Sequence, residues 1–591
     1  MTTEQPHEPT GRSTGRSTGQ STDRPAGQHT DRPTKVTHPV RSGARAVVAG
    51  VTGIAAVAAL GAVALLGDQW AQSWTGAEQR AVAAGTRTVA VEPAEDSLVC
   101  PPPVALPKGA DVGDSQFSAT PVPTRSGIGA LVQGGAPGVE DGPQGPRTTG
   151  LDGGDATALT GDPASGAGQQ AAADGTRVLR ATPVADEVFR ASASLASVTT
   201  QGDLRGLAAA SCVSPGTSQW LVGGRTTVGA TTTLTVQNPT ERPATVTLDV
   251  YGPSGKVALG GGGTFTVAAH DQVTTRLESV APEQDRLAVH VSSTGARVSA
   301  SLQRQAIDGL VPAGADLVTP GSPPRSSLAV GGVVSHGEPL DDPHAPRLRL
   351  LAPGDADTTA RISVYGPSGE VTLRGADEVD LEAGVVTDVP LGGLPEGTYA
   401  VVVDAQARVV GAARFDRPGQ QPEDSVVGGT PYDVAWSRGQ AAPAAAGSAL
   451  GSVALPDEAR ARVSLAGVPP ERDPDQDPDG EQAVTVRAYD AEGAELGSTD
   501  LTVAAGATTG VDVADLADGG TPAAVRVDTS DPEADDGADD AADAGPGVLW
   551  SVVLEADDGT AEAGTLVATL APTPARTAPG DVAVRTVDAA R

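Results

Sequence analysis

The sequence predicts an all-β body: tandem Ig-like β-sandwich modules carried on one N-terminal transmembrane helix, with a disordered tail and disordered loops. Three observations lead there. Beyond Cys212, apolar and polar residues alternate in runs of five to eight, broken by Gly, Pro, Asn and Asp, which is strand and turn chemistry. The hexapeptide VYGPSG stands at 250–255 and again at 364–369, an offset of 114 residues, which is a domain repeat and not a solenoid period. Residues 46–67 (AVVAGVTGIAAVAALGAVALLG) carry no charge.

In chain order, residues 1–45 come first. They contain six degenerate tetrapeptides at 11–34 (GRST, GRST, GQST, DRPA, GQHT, DRPT), which bury no core and read as a disordered cytoplasmic tail. The segment 46–67 is next. At a rise of about 1.5 Å per residue it spans about 33 Å, enough for one membrane crossing. Seven basic groups against four acidic ones in residues 1–45 place the N-terminus inside, and Trp70 and Trp74 suit the outer interface. A cleaved signal peptide is the rival reading. Its apolar region is shorter, about 7–15 residues, and the first small-x-small site here, Ala81-Val82-Ala83, lies well downstream, so an uncleaved anchor is expected. The expected location is the cell membrane, single-pass, with the C-terminal body outside.

Residues 68–95 read as a stalk and 96–216 as a β-rich segment with a long Gly/Asp-rich loop from about 111 to 174. Sandwich modules are expected at 217–320, 321–430 and 431–571, with a C-terminal tail at 572–591. The two-residue period is plain in TTTLTVQN (231–238) and ATVTLDVY (244–251). A looser third copy of the hexapeptide, AYDAEG (488–493), marks the last module, and Tyr251, Tyr365 and Tyr489 are expected in cores. That last module differs by acidic insertions at 470–482 and 528–547, expected to be solvated loops.

The formal charge is −34, and the part beyond residue 45 is more acidic still. Such a surface repels phosphate backbones and anionic wall polymers, so nucleic acid is not expected as a partner and any electrostatic ligand is expected to be cationic. Aromatic residues are 2% of the chain, so cores rest on Val, Leu and Ala and gain from a covalent staple. Cys100 and Cys212, the only cysteines, lie beyond the apolar segment and are expected to pair as a disulfide.

No HExxH, GxSxG, Walker loop or dinucleotide fingerprint occurs, so no catalytic residue and no cofactor is expected, and the chain is read as non-enzymatic. One weak metal candidate exists. Asp475, Asp477 and Asp479 before Gly480 match the opening of a calcium loop, but the twelfth position is Val486 where an EF-hand needs Glu, so a solvated loop is expected. The stretch HGEPLDDPH (336–344) matches no zinc spacing and reads as an exposed loop. Trp220, Trp436 and Trp550 are expected in cores, with glycan stacking as the alternative.

The segments RGLAAASC (205–212), SQWLVGG (218–224) and LTVQNPTERPATVTLDVYGPSG (234–255), with VCPPP at 99–103 and LRLLAPG at 348–354, resemble an uncharacterised family of membrane-anchored or secreted envelope proteins of high-GC Gram-positive bacteria, an actinobacterial domain of unknown function. The resemblance covers most of residues 96–440. It implies an envelope location and an extracellular β-rich body, and supplies no activity. The expected role is a non-catalytic structural or protein-binding one with an envelope protein partner; the alternatives are a cell-wall glycan-binding protein or an accessory to an envelope enzyme.

Overall fold

The structure, a computed structural model, describes residues 86–106, 124–139, 144–373, 375–421, 428–443, 450–457, 459–470, 480–529 and 545–585. The tail 1–45, the apolar segment 46–67 and Asp475, Asp477 and Asp479 lie outside these residues. Among the described residues no helix is long and apolar enough to cross a membrane. The strands from Asp96–Val99 to Arg576–Thr577 belong to the compact unit Thr88–Ala583.

The repeated hexapeptide shows why the strands form where they do. In VYGPSG the strand Ala244–Gly252 turns through Pro253 and Ser254 into Gly255–Val257, with Gly252 facing Gly255 and Tyr251 facing Lys256. Proline presets the first turn dihedral, and Gly255 closes the turn at φ 100°, a conformation that side chains disfavour. The copy at 364–369 repeats this register, with Gly366 facing Gly369 and Tyr365 facing Glu370. In the third copy Tyr489 faces Glu495 across a bulge. All three tyrosines are buried.

Around this hairpin each repeat builds two packed sheets. In the repeat that begins at Ser218, one sheet runs Ser218–Val222, Ala288–Thr294, Ala244–Gly252, Gly255–Val257, with Thr264–Val267 on its flank. The other runs Asp271–Arg276, Ala230–Asn238, Ser299–Asp308, Val311–Val318. The next repeat has the same order, with the long strand Gly397–Pro418 serving both sheets and Tyr432–Arg438 as its last strand. Residues 432–438, expected in the following module, therefore belong here: they pair with Ala412 to Pro418, and Gly428 to Pro431 lie on the connection between two strands of one sheet. The final repeat runs Gly451–Ala454, Ala524–Thr529, Glu481–Tyr489, Glu495–Ala504 against Thr508–Asp512, Arg460–Val468, Gly547–Ala556, Leu566–Leu570.

A fourth copy, which comes first in the chain, occupies the segment expected to hold a long loop. Its sheets run Asp96–Val99, Val178–Ala181, Arg147–Thr149, Thr157–Ala158 and Gly206–Ser211, Val188–Thr199, Arg125–Gln133, Gly166–Ala172, Thr160–Asp162. It repeats the two-sheet plan of the other three. Glycine and alanine dominate these strands because neighbouring backbone lies against them: a Cβ on Gly129 or Gly166 would strike the main chain of Leu455 or Gly493. We number these sandwiches 1 to 4 in chain order. The disulfide Cys100–Cys212 joins the first strand of sandwich 1 to its last, as expected, with Cα atoms 4.2 Å apart.

The four sandwiches close into a ring. The first sheet of each packs on the second sheet of the next: the core of sandwich 2 continues into Val410, Val434 and Trp436, that of sandwich 3 into Val553 and Val567, that of sandwich 4 into Val198 and Leu207, and that of sandwich 1 into Leu317. Side chains cross every seam to backbone carbonyls. Gln237 donates to Cys100 at 3.1 Å, Arg349 to Gly224 at 2.7 Å, Thr508 to Thr398 at 2.8 Å and Gln170 to Leu455 at 2.9 Å. A head-to-tail interface repeated four times has closed on itself. Residues 572–580, expected as part of a tail, brace the closing seam: Thr573 bridges to Ser452, Arg576 and Thr577 pair with Phe189 and Val188, and Ala578 bridges to Ala185.

The last strands of the four sandwiches, Gly206–Ser211, Val311–Val318, Tyr432–Arg438 and Leu566–Leu570, pack on one another around the middle of the ring. Each second sheet is thus covered on both faces. That is why Thr233, Thr235, Gln237, Ser192 and Ser194 are buried although they sit on the polar side of their strands.

Candidate functional site

Two places in the ring gather polar chemistry. One is the centre. Asp433 accepts backbone N–H groups from Leu207 at 3.0 Å and Val567 at 2.8 Å, so one carboxylate of sandwich 3 holds the central strands of sandwiches 1 and 4. Asp316 accepts from Leu317 and from Trp436 at 2.7 Å, and Arg205 donates to Asp558 at 2.6 Å. Asp433, Asp316, Trp436, Arg205 and Asp558 are all buried. Burial pushes Asp433 up to about 6, and raises Asp316 well above the usual carboxylate range. Arg304, buried and donating to the carbonyls of Ala313 and Gly314, is lowered by desolvation to about 9. The centre is filled: the cavity bordered by Ser211, Thr319, Trp436 and Thr569 measures about 10 Å³, room for one water at most. These charges join sandwiches together and face no ligand space.

The other place is an open cleft of about 740 Å³ at the seam between sandwiches 1 and 2. Its floor is the first sheet of sandwich 1. There Glu95 receives Arg147 at 2.8 Å and Arg180 at 3.5 Å. Its far wall is the turn at Pro239 to Glu241, with His270 and Arg297 from sandwich 2. His270 ties the walls together, with Nδ1 3.3 Å from the carbonyl of Leu151 and Nε2 3.1 Å from Glu241. It does so from φ 57°, a left-handed conformation that histidine tolerates better than most residues. The cleft draws on stretches near 95, 147, 180, 240, 270 and 297, so no local motif announces it, and it was not anticipated from the sequence.

Among the candidate residues of the sequence, Trp220, Trp436 and Trp550 are buried in the cores. His336 and His344 do not converge. His336 lies 3.1 Å from Arg417 and is lowered by desolvation, whereas His344 pairs with Asp416 at 2.8 Å and stacks on Tyr432. Val486 is fully buried in its strand, so the twelfth position of the candidate calcium loop faces a core. Among the described residues no group of three or more His, Cys, Asp and Glu side chains is placed to hold a metal ion.

A Ser-His-Asp trio does occur on the first sheet of sandwich 2. Ser218 lies 2.9 Å from His290 Nε2, but Asp249 is 3.7 Å from Nδ1 and is held by Lys256 at 2.8 Å. A relay needs the third group to orient the imidazole by a hydrogen bond. Here the ring is positioned by stacking on Trp220, with centroids 4.3 Å apart, and burial lowers its pKa. We read the trio as a polar cross-strand cluster.

A family model described as "Family of unknown function (DUF5719)" matches residues 167–514, more than half of the chain and parts of all four sandwiches. No curated protein matches the chain. Among solved structures the chain is similar to a "Biofilm associated protein - BSP domain" at 10% identity, over 76% of this chain and 90% of that one. The TM-score is 0.11, a value on which no argument rests.

Proposed function

Because the chain belongs to the DUF5719 family, a family of unknown function, we propose its role from architecture alone: a non-catalytic cell-envelope protein that serves as a structural or protein-binding scaffold. The carrying observation is the closed ring of four sandwiches, in which each seam repeats the same packing and the polar side chains of the second sheets are consumed in joining modules. Such a body presents fixed surfaces on a rigid support. In this reading residues 46–67 anchor it to the membrane with the ring outside, where the disulfide persists. The burial of Trp220, Trp436 and Trp550 supports this reading over the glycan-stacking alternative.

Proximity labelling from a C-terminal fusion in living cells tests the reading. A reproducible set of envelope proteins is expected, with no hydrolysis of model esters by the purified chain. Labelling confined to cytosolic proteins, or ester turnover that vanishes in Ser218→Ala, would overturn it.

A further inference from the structure

We propose that the cleft between sandwiches 1 and 2 is a binding site for an oxyanion-bearing ligand, one that presents a carboxylate or a phosphate group. This goes beyond the scaffold reading and does not depend on it.

Donors and acceptors in the cleft do not balance. Four carboxylates line it; Glu95 and Asp96 are paired with arginines, whereas Asp152 and Glu241 stand exposed at its edge. Glu95 receives Arg147 and Arg180, Asp96 receives Arg576 at 2.8 Å, Glu241 faces His270, and Asp152 accepts the backbone N–H of Gly154 at 2.9 Å. The donors are in surplus. Arg147 and Arg180 share one carboxylate between two guanidinium groups, and each group has five N–H donors. Arg297 reaches the cleft from the opposite wall with no carboxylate within 4 Å among the described residues, and the hydroxyls of Ser97 and Ser214 make no hydrogen bond among them either. A ligand entering this space meets unused guanidinium and hydroxyl donors from two walls, and the carboxylates nearest those arginines, Glu95 and Asp96, are already paired.

Guanidinium forks match carboxylate and phosphate geometry in two-point contacts, which suits a pair of arginines on the floor and a third across the gap. The volume falls in the range of small-ligand clefts. At the seam between sandwiches 4 and 1, cations are matched internally: Arg190 pairs with Asp528 at 2.9 Å, and Arg526 holds the same Asp528 and reaches Gln133. The chain's charge of −34 disfavours anions at long range, so capture depends on these short contacts and selects small anions over extended polyanions.

Isothermal titration calorimetry of the full-length chain tests the proposal, using inorganic phosphate and glucuronate as probes and glucose as the uncharged control. Saturable binding of at least one anion and none of glucose is expected; which anion binds more tightly decides between a phosphoryl and a carboxylate ligand. Arg297→Ala, an exposed position, is expected to weaken binding at least fivefold with an unchanged melting temperature, and Arg180→Gln to weaken it further. No saturable heat with either anion, equal binding of glucose, or full affinity in Arg297→Ala would overturn the assignment.

Discussion

Replacing Asp433 by Asn removes a buried charge from the middle of the ring while keeping an oxygen for the two backbone N–H groups it accepts. The magnitude follows from the shift of its acidity. Burial raises this carboxyl from 3.8 to about 6, so the folded protein binds the proton more tightly than the unfolded chain does. The stability linked to that proton is fully present below about pH 3.8 and is lost as pH rises to about 6. Above that, the ionised folded state carries a cost of about 3 kcal/mol. The neutral amide of the Asp433→Asn variant carries no such cost. The variant should match the wild type near pH 4 and exceed it by up to about 3 kcal/mol at pH 8. Asp316, raised chiefly by burial and in part by Asp433, should ionise more readily once its neighbour is neutral, which adds to the gain. The attraction of Arg205 for an ionised Asp433 works the other way and lowers it. Urea unfolding followed by tryptophan fluorescence at intervals from pH 4 to 8 reads both profiles. Parallel profiles would refute the reasoning, because they would mean that Asp433 titrates alike in the folded and unfolded chain.

Two further outcomes are expected. Changing Cys100 and Cys212 together to Ser opens a loop of 112 residues, which the chain-entropy account values at about 5 kcal/mol; thermal scans should show the wild type falling to the level of the variant under reductant, and the variant indifferent to it. Gly166→Val drives a side chain into the carbonyl of Gly493 and should open the closing seam, read as faster proteolysis near residues 572–580 and a larger radius of gyration, whereas Gly354→Ala, with open space around it, should leave both unchanged.

Much of the architecture was legible because the hairpin residues Pro253, Ser254 and Gly255 encode a turn locally and recur at 367–369. The cysteine pairing was legible for a comparable reason, since two cysteines offer one intramolecular pairing. The features that stayed hidden depend on distant neighbours. Thr233, Thr235, Gln237, Ser192 and Ser194 alternate like a solvent face, because alternation records polarity and says nothing about whether a second sheet covers that polarity and satisfies it with hydrogen bonds. Sandwich 1 stayed hidden because Gly166–Ala172 is poor in β-branched residues, and its short strands Arg147–Thr149 and Thr157–Ala158 leave no periodic trace. The cleft was out of reach because Arg147 and Arg180 meet only as cross-strand partners in sandwich 1, and Arg297 reaches the same space from a loop of sandwich 2.

The strap that braces the last seam also brings Gly580 to Val91, whose backbone N–H donates to its carbonyl at 2.8 Å. The body therefore enters and leaves its own circle at one point. Every seam packs a first sheet on a second, and a circular permutant joined across that point and cut between Gln440–Ala441 and Gly451–Ala454 would trace the same circle from a different start. Module order along the gene is, for this protein, a choice of where to open a loop.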